Sequence, residues 1–324
     1  MLALTNPIVN LHHLRPKPFE LKADLPSNMK NLSLSDAAQY LWDLDVNRLT
    51  PNQDYKINVQ SGKKPYWKED NAEDPLFTSV DTQAFRRPTY KAFIALLDNY
   101  TAQTGQRENV TNTERKENWT FLRAIMQSGP MQFCHKYCVA NGDNVSKDPD
   151  EFMKLLNRIW FDLYRRAGSG QDSSGFEHVF VGELKNGQVS GFHNWVYYFM
   201  EEKKGNVDYR GYIYPKSYAD AETNSNDHVL TIQFEWNGVL KNIGTSFIGV
   251  SPEFEIALYT ICFLTGDQEN AIELNTGTDL FKLNCKVYSM SGKIGTSFVE
   301  ALVSIILLLL GSESEKVIYR RYVL

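Results

Sequence analysis

Cysteine is scarce, with 4 in 324 residues: Cys134, Cys138, Cys262 and Cys285. So few exclude a disulfide framework. Cys134 and Cys138 stand four apart on one face of a helix, with only His135 nearby and pointing elsewhere. They read as small buried apolar residues rather than metal ligands. An excess of positive charge is also missing. Lys and Arg number 34 against 39 Asp and Glu, a net charge of −5. That excludes a protein that coats nucleic acid by bulk charge, while leaving room for a local basic site. The one long apolar run, Ala301 to Leu310, is about half the roughly 20 residues of a membrane span, so no span is expected. Met1 to Pro7 has only a brief apolar run and no basic stretch before it, unlike a signal peptide. There is no His-Glu-X-X-His, no phosphate-binding loop and no Gly-X-Ser-X-Gly.

What remains is ordinary globular composition, 42% hydrophobic and 23% charged. A chain of this size buries roughly 75% of its unfolded surface and needs no metal or disulfide to stay folded. Sequons at Asn31, Asn99, Asn109, Asn118 and Asn144 permit glycosylation if the chain is exported, but they do not fix its location.

The first 32 residues are polar and dotted with proline (Pro7, Pro16, Pro18, Pro26) and read as an extended arm. Ser33 and Asp36 form a capping box ahead of an apolar helix pattern through Leu44. A loop is expected around Pro51 and from Gly62 to Pro65. Pro88 opens a second helix, and a third runs from Thr113 to about Gln127, stopping at Gly129-Pro130. Asp148 and Pro149 cap the cleanest pattern, with Phe152, Leu155, Leu156, Ile159, Trp160 and Leu163 at helical spacing. After a polar stretch at Ala167 to Ser174 the pattern changes. Phe176 to Leu184 reads as a strand, and Asn186-Gly187 as a hairpin turn. A helix is expected at 193–202, then strands at 209–214, 228–236, 243–249, 270–275, 281–290 and 293–298. Ser251-Pro252-Glu253 caps a further helix. Helices first and mostly antiparallel strands after define an α+β fold. Two short segments recur: Ser-Gly-Phe at 174–176 and 190–192, and Ile-Gly-Thr-Ser-Phe at 243–247 and 294–298.

Six histidines are available for chemistry. His12 and His13 fall in the arm, His135 reads as a structural helix residue, and His228 reads as surface-bound after a polar loop. His178 and His193 differ because each follows a Ser-Gly-Phe segment. Glycine admits close backbone approach, and a hairpin between them brings the two together. With Glu177 and Glu183 they make either a metal site or an acid–base pair, and a purely structural pair is the plain alternative.

Longer runs carry a resemblance. They are DSSGFEHVFVGE from Asp172 to Glu183, SGFHNW from Ser190 to Trp195, and SPEFEIALY from Ser251 to Tyr259. Together with DVNRL from Asp45 to Leu49 and MQFCHKY from Met131 to Tyr137, they resemble the EndoU family of uridylate-specific endoribonucleases over about residues 33–298. The resemblance implies a helical N-terminal lobe to about residue 170 and a catalytic lobe of small antiparallel sheets after it. It implies an endoribonuclease that cuts single-stranded, uridine-containing RNA through 2′-OH attack, leaving a 2′,3′-cyclic phosphate and a 5′-hydroxyl. The implied catalytic set is His178, His193 and Lys241. Two histidines suit proton transfer near neutral pH, and a lysine suits the charge of a phosphorane. By analogy with a related coronavirus enzyme, His193 is the base and His178 the acid. Ser246 and Tyr288 are the implied substrate contacts. Family members are commonly stimulated by Mn²⁺ and some by Ca²⁺, hard ions that suit carboxylates. Glu177 and Glu183 then either bind such an ion or orient His178 and Lys241.

The ending departs from the family. Members stop soon after an Ile-Gly-Thr-Ala-Tyr-Pro strand, where this chain reads IGTSFV from Ile294 to Val299 and continues to Leu324. Residues 299–324 form an atypical tail, with a short helix expected at 299–310. A monomer is expected. The rival readings are a non-catalytic RNA-binding module of the same fold and a secreted calcium-binding protein.

Overall fold

Each main helix begins where the sequence supplies a cap. Helix α1 (Leu34–Leu44) starts with a full capping box between Ser33 and Asp36, and α3 (Asn112–Ile125) with one between Thr111 and Glu114. Pro88 opens α2 (Pro88–Ile94), and Asp148 and Pro149 open α5 (Pro149–Trp160). α3 ends at Ile125, close to the expected Gln127, and Gly129-Pro130 then does more than separate it from the next element. It forms the first turn of α4 (Gly129–Asn141), where Ser128 accepts from Met131 N and a proline lacking N–H costs nothing.

The computed structural model describes residues 25–167, 170–214, 228–277, 279–307 and 319–323. Most of the expected arm lies outside them. Its described end makes one 3₁₀ turn at Met29–Asn31, with Leu25, Met29 and Leu32 against the core. Three short strands separate α1 from α2: β1 (Tyr55–Ile57), β2 (Gly62–Lys63) and β3 (Phe77–Val80). β2 replaces part of the loop expected at Gly62 to Pro65.

The second half is α+β as expected. It runs β4 (Glu183–Lys185), β5 (Gln188–Ser190), α6 (Trp195–Lys204), β6 (Val207–Ile213), β7 (Val229–Trp236) and β8 (Val239–Phe247). Helix α7 (Pro252–Thr265) then leads to β9 (Glu269–Asn275), β10 (Asp279–Met290), β11 (Lys293–Leu307) and β12 (Tyr319–Val323). One four-stranded sheet has the order β2-β6-β7-β8, with β2 parallel to β6, and the other β12-β11-β10-β9, antiparallel throughout. β1 with β3 and β4 with β5 make two small ribbons, the latter closed at Asn186-Gly187 with both residues at positive φ.

Two expectations fail here. Over 299–307, the helix expected at 299–310 is instead a continuation of β11, paired with β10 from Met290↔Lys293 out to Asp279↔Ile306, and 308–310 lie outside the described residues. A short run rich in valine and isoleucine reads equally as helix or strand until a partner strand decides it. Phe176 to Leu184 is not one strand either. Glu177–Val181 form a turn of π-helix, and the strand begins only at Glu183. Burial of nearly every residue there removed the alternation that separates the two.

That π turn is anchored by aromatic packing. Phe176 stacks on Phe161 at 5.0 Å and meets Phe93 at 5.6 Å, while Phe180 meets Trp160 at 5.5 Å. Phe121 of α3 closes the cluster against Phe93, Phe161 and Phe176. The helical core therefore grips the turn from both ends. Phe121→Ala empties the middle of this cluster and should cost about 3–5 kcal/mol. Urea denaturation checks this; a loss below about 1 kcal/mol would mean the cluster does not support the turn.

Candidate active site

His178 lies on the π turn and His193 just after β5, and the two segments cross closely. Phe192 N–H donates to His178 O at 3.0 Å, and His193 N–H to Val179 O at 2.8 Å. At Gly191, φ is +67° and a Cβ would lie 1.8 Å from His178 O, so only glycine fits. Phe192 follows at φ 63°, a conformation few side chains adopt. Its ring is wedged among Tyr197, Tyr198, Phe234 and Trp236, which holds it there. Lys241 of β8 comes to the same point and donates from Nζ to Gly191 O at 2.7 Å. His178, His193 and Lys241 thus converge.

The two histidines have different partners. His178 Nδ1 is 2.8 Å from Glu183 Oε2. Glu183 is buried, also accepts from Ser173 Oγ, and pairs with Arg166 Nε at 3.1 Å. Arg166 Nη2 reaches Gly295 O on β11 and the Tyr164 hydroxyl. His193 Nδ1 lies 3.0 Å from Thr245 O, and its ring stacks on Phe298 with centroids 5.0 Å apart and planes at 13°. A carbonyl only accepts, so Nδ1 of His193 carries the proton and Nε2 holds the lone pair. The site is therefore a seam between β8 and β11, which pack together.

Burial sets the proton states. It lowers the pKa of His193 well below the usual histidine value, and the Lys241 charge pushes the same way. Burial lowers His178 too, but the Glu183 hydrogen bond and charge oppose it. Burial alone would raise Glu183; His178, Arg166 and Ser173 outweigh it and hold the carboxylate low. Lys241 is brought down to about 8 by burial and stays a cation at neutral pH. Neutral His193 suits a base. His178 beside a carboxylate suits an acid, since its imidazolium has an anion to face.

The remaining expected residues lie at different distances from this centre. Ser246 is half-buried on β8, one residue past the carbonyl that holds His193. Tyr288 is half-buried on β10, opposite Thr296, and its hydroxyl donates to Glu269 Oε1 at 3.2 Å. It shares a sheet face with Phe298, which pairs across from Lys286. Glu177 is buried with Oε2 unpartnered among the described residues. Burial, with Glu108 and Glu183 adding repulsion, pushes it up to about 10, so it is a neutral acid. Glu183 is committed to Ser173, His178 and an arginine, which leaves it no free face for a Mn²⁺ or Ca²⁺ ion, whereas Glu177 keeps one buried oxygen without a partner among the described residues. Among the described residues no cluster of three or more His, Cys, Asp or Glu could hold a metal.

Some site residues were not legible in the sequence. Arg166 acts through contacts that no motif marks, while Ser173 and Thr245 lie inside the quoted segments without their partners being readable there. Phe298 carried a signal, since it ends the repeated Ile-Gly-Thr-Ser-Phe segment. His228 was misread: it is buried, hydrogen-bonds Ile248 O at 3.1 Å and packs edge-on against Trp42, while burial brings it to about 4. His135 is structural as expected, bonded to Ser146 O at 2.8 Å and stacked on Phe152.

Two buried histidines and a lysine that meet at one crossing are groups suited to general acid–base chemistry. The family profile described as Endoribonuclease XendoU matches residues 33–299, and the chain belongs to that family. It is 41% identical to Uridylate-specific endoribonuclease C of Danio rerio, over 87% of this chain and 92% of that protein. It is 42% identical to the Poly(U)-specific endoribonuclease of Xenopus tropicalis, over 83% of this chain and 93% of that protein. Among solved structures, that of XendoU, described as a splicing-independent snoRNA-processing endoribonuclease, superposes with a TM-score of 0.72 at 41% identity. It covers 83% of this chain and 97% of its own. No helix among the described residues is long and apolar enough to cross a membrane.

The state of Glu177 has a consequence for stability. Its folded pKa of about 10 lies above the unfolded 4.5. Its stabilising contribution is whole below pH 4.5 and is lost as pH rises toward 10. Glu177→Gln should therefore raise the urea midpoint at pH 8, with the gain shrinking toward pH 5. A gain that does not vary with pH would show that Glu177 ionises in the folded chain.

Proposed function

We propose that this chain is an endoribonuclease that cuts single-stranded RNA at uridylates. The observation that carries the reading is the asymmetric pair: His193 held by a carbonyl and His178 by a carboxylate, with Lys241 between them. His193 Nε2 takes the proton of the 2′-hydroxyl, and O2′ attacks the neighbouring phosphorus. The P–O5′ bond breaks, and protonated His178 gives its Nε2 proton to O5′. Lys241 offsets the added charge on the phosphorane oxygens. The products are a 2′,3′-cyclic phosphate and a 5′-hydroxyl. No water enters, so the step is formally that of a lyase. DNA lacks the nucleophile and resists.

Uridine preference is supported by the names of the relatives. The base is assigned to the seam rim, where Ser246 lies on one strand and Phe298 and Tyr288 on the facing sheet. No metal takes part in these proton transfers. Stimulation by Mn²⁺, or by Ca²⁺, is a separate proposal that rests on the resemblance, with Glu177 and Glu183 either holding the ion or orienting His178 and Lys241.

A short labelled RNA with a single uridine tests the reading, with Mn²⁺, Ca²⁺ or EDTA present. Cleavage at uridine with a cyclic phosphate end is expected. It should fall by about 10²–10⁴-fold in His193→Ala and be absent on DNA. Binding without cleavage by the folded wild type would sink the enzyme reading.

The pH profile tests the roles. The rate should rise as His193 deprotonates and fall as His178 does. Glu183→Gln removes the anion that supports the His178 imidazolium, so the falling limb should move to lower pH. A limb that stays in place would show that Glu183 has only a structural role.

A further inference from the structure

Large apolar side chains left in water are few among the described residues: Val46, Tyr66, Trp67, Ile243 and Leu302. Three of the five fall on two segments that a single side chain joins: Tyr66 and Trp67 on the loop after β2, and Ile243 on β8. Tyr66 is 71% exposed, Trp67 42% and Ile243 50%. Tyr66 and Trp67 meet edge to face at 6.4 Å, and the Lys64 ammonium stands 6.0 Å from the Trp67 ring centre.

The segment that carries them is fixed. Lys63, buried, pairs through β2 with β6 and donates from Nζ to Glu69 O at 2.5 Å. Trp67 N–H donates to Lys64 O at 3.0 Å, and Arg210 reaches Lys68 O at 3.5 Å. Gln233 of β7 ties the segment to the site: its Nε2 lies 2.9 Å from Trp67 O and 3.4 Å from Asn242 O. Asn242 is the neighbour of Lys241, and Ile243 follows it. The backbone of Trp67 is therefore one side chain away from the backbone beside Lys241, on the face of β7 opposite the one that Phe234 and Lys241 share. An exposed tryptophan on an anchored loop has not failed to find a core; its ring is presented.

We propose that Tyr66 and Trp67 form a stacking platform for bases of the single-stranded RNA that flank the cleaved nucleotide. This rests on the endoribonuclease reading above. Bases of every kind have a π face, so such a platform adds affinity without sequence preference, and Lys64 and Lys68 supply charge for the backbone. Glu69 and Asp70 follow directly, which makes stacking rather than bulk charge the main contribution.

The test compares a trinucleotide with a central uridine against 12-mers extended only on its 5′ side or only on its 3′ side. In the doubly substituted Tyr66→Ala, Trp67→Ala chain, KM for one of the two 12-mers should rise roughly tenfold, with kcat nearly unchanged. The trinucleotide is too short to reach the platform and should be cut as before. Trp67→Phe should keep most of the affinity. Binding of a 12-mer with 2′-deoxyuridine at the cleavage site gives a readout free of catalysis. It should weaken in the double variant, and the Trp67 share of fluorescence quenching should vanish in Trp67→Phe. Wild-type binding of that RNA with no cleavage of any substrate would defeat the nuclease reading and leave the platform standing. Unchanged KM and binding for both 12-mers would overturn the platform. So would a shift from dimer to monomer in the double variant with RNA binding intact, because the patch would then be a protein interface.

Discussion

The site depends on one crossing of two chain segments, at Gly191. Its missing side chain lets the carbonyl of His178 lie against it, its own carbonyl receives Lys241, and the next two residues donate back to the π turn. Three residues distant in sequence are thereby set by one backbone contact. The aromatic cluster behind Phe176 and Phe180 fixes one partner of the crossing, and the rings around Phe192 fix the other. A substitution at Gly191 would disturb all three groups together, whereas one at Thr245 leaves the carbonyl that holds His193 in place.

Burial acts on every ionisable group here in the same sense, against charge, and the partners create the differences. His178 has a carboxylate and His193 a carbonyl, so two histidines in one dry seam differ in their tendency to hold a proton. Glu183 and Glu177 diverge for the same reason. Glu183 has Arg166, His178 and Ser173, while Glu177 faces Glu108 and Glu183 without a cation of its own. Two carboxylates flanking one histidine in sequence thus have opposite states.

Much of this was legible from the residues. Caps at Ser33, Thr111, Asp148 and Ser251 act locally, within three residues, and a sequence displays them directly. The two Ser-Gly-Phe segments pointed to His178 and His193 because glycine signals close backbone approach. The failures came where burial was complete or where the partner was remote. At 176–184 burial of apolar and polar residues alike, and at 299–307 a largely apolar run, erased the period, and only the packing surface or the β10 ladder could decide. His228 follows a polar stretch, yet Trp42 and Ile248 cover it from far along the chain. Arg166 gave no sign, since its importance comes from reaching both Glu183 and β11.

The pairing of β2 with β6 joins positions about 150 residues apart, and Gln39 of α1 hydrogen-bonds Asn275 across a separation of 236. Such contacts close late, because loop-closure entropy must be met before they stabilise anything. Phe298, which backs His193, is synthesised just over 100 residues after that histidine. The seam is therefore incomplete on any nascent chain that has not yet emitted β11. An activity directed at RNA cannot be assembled before that strand has been made.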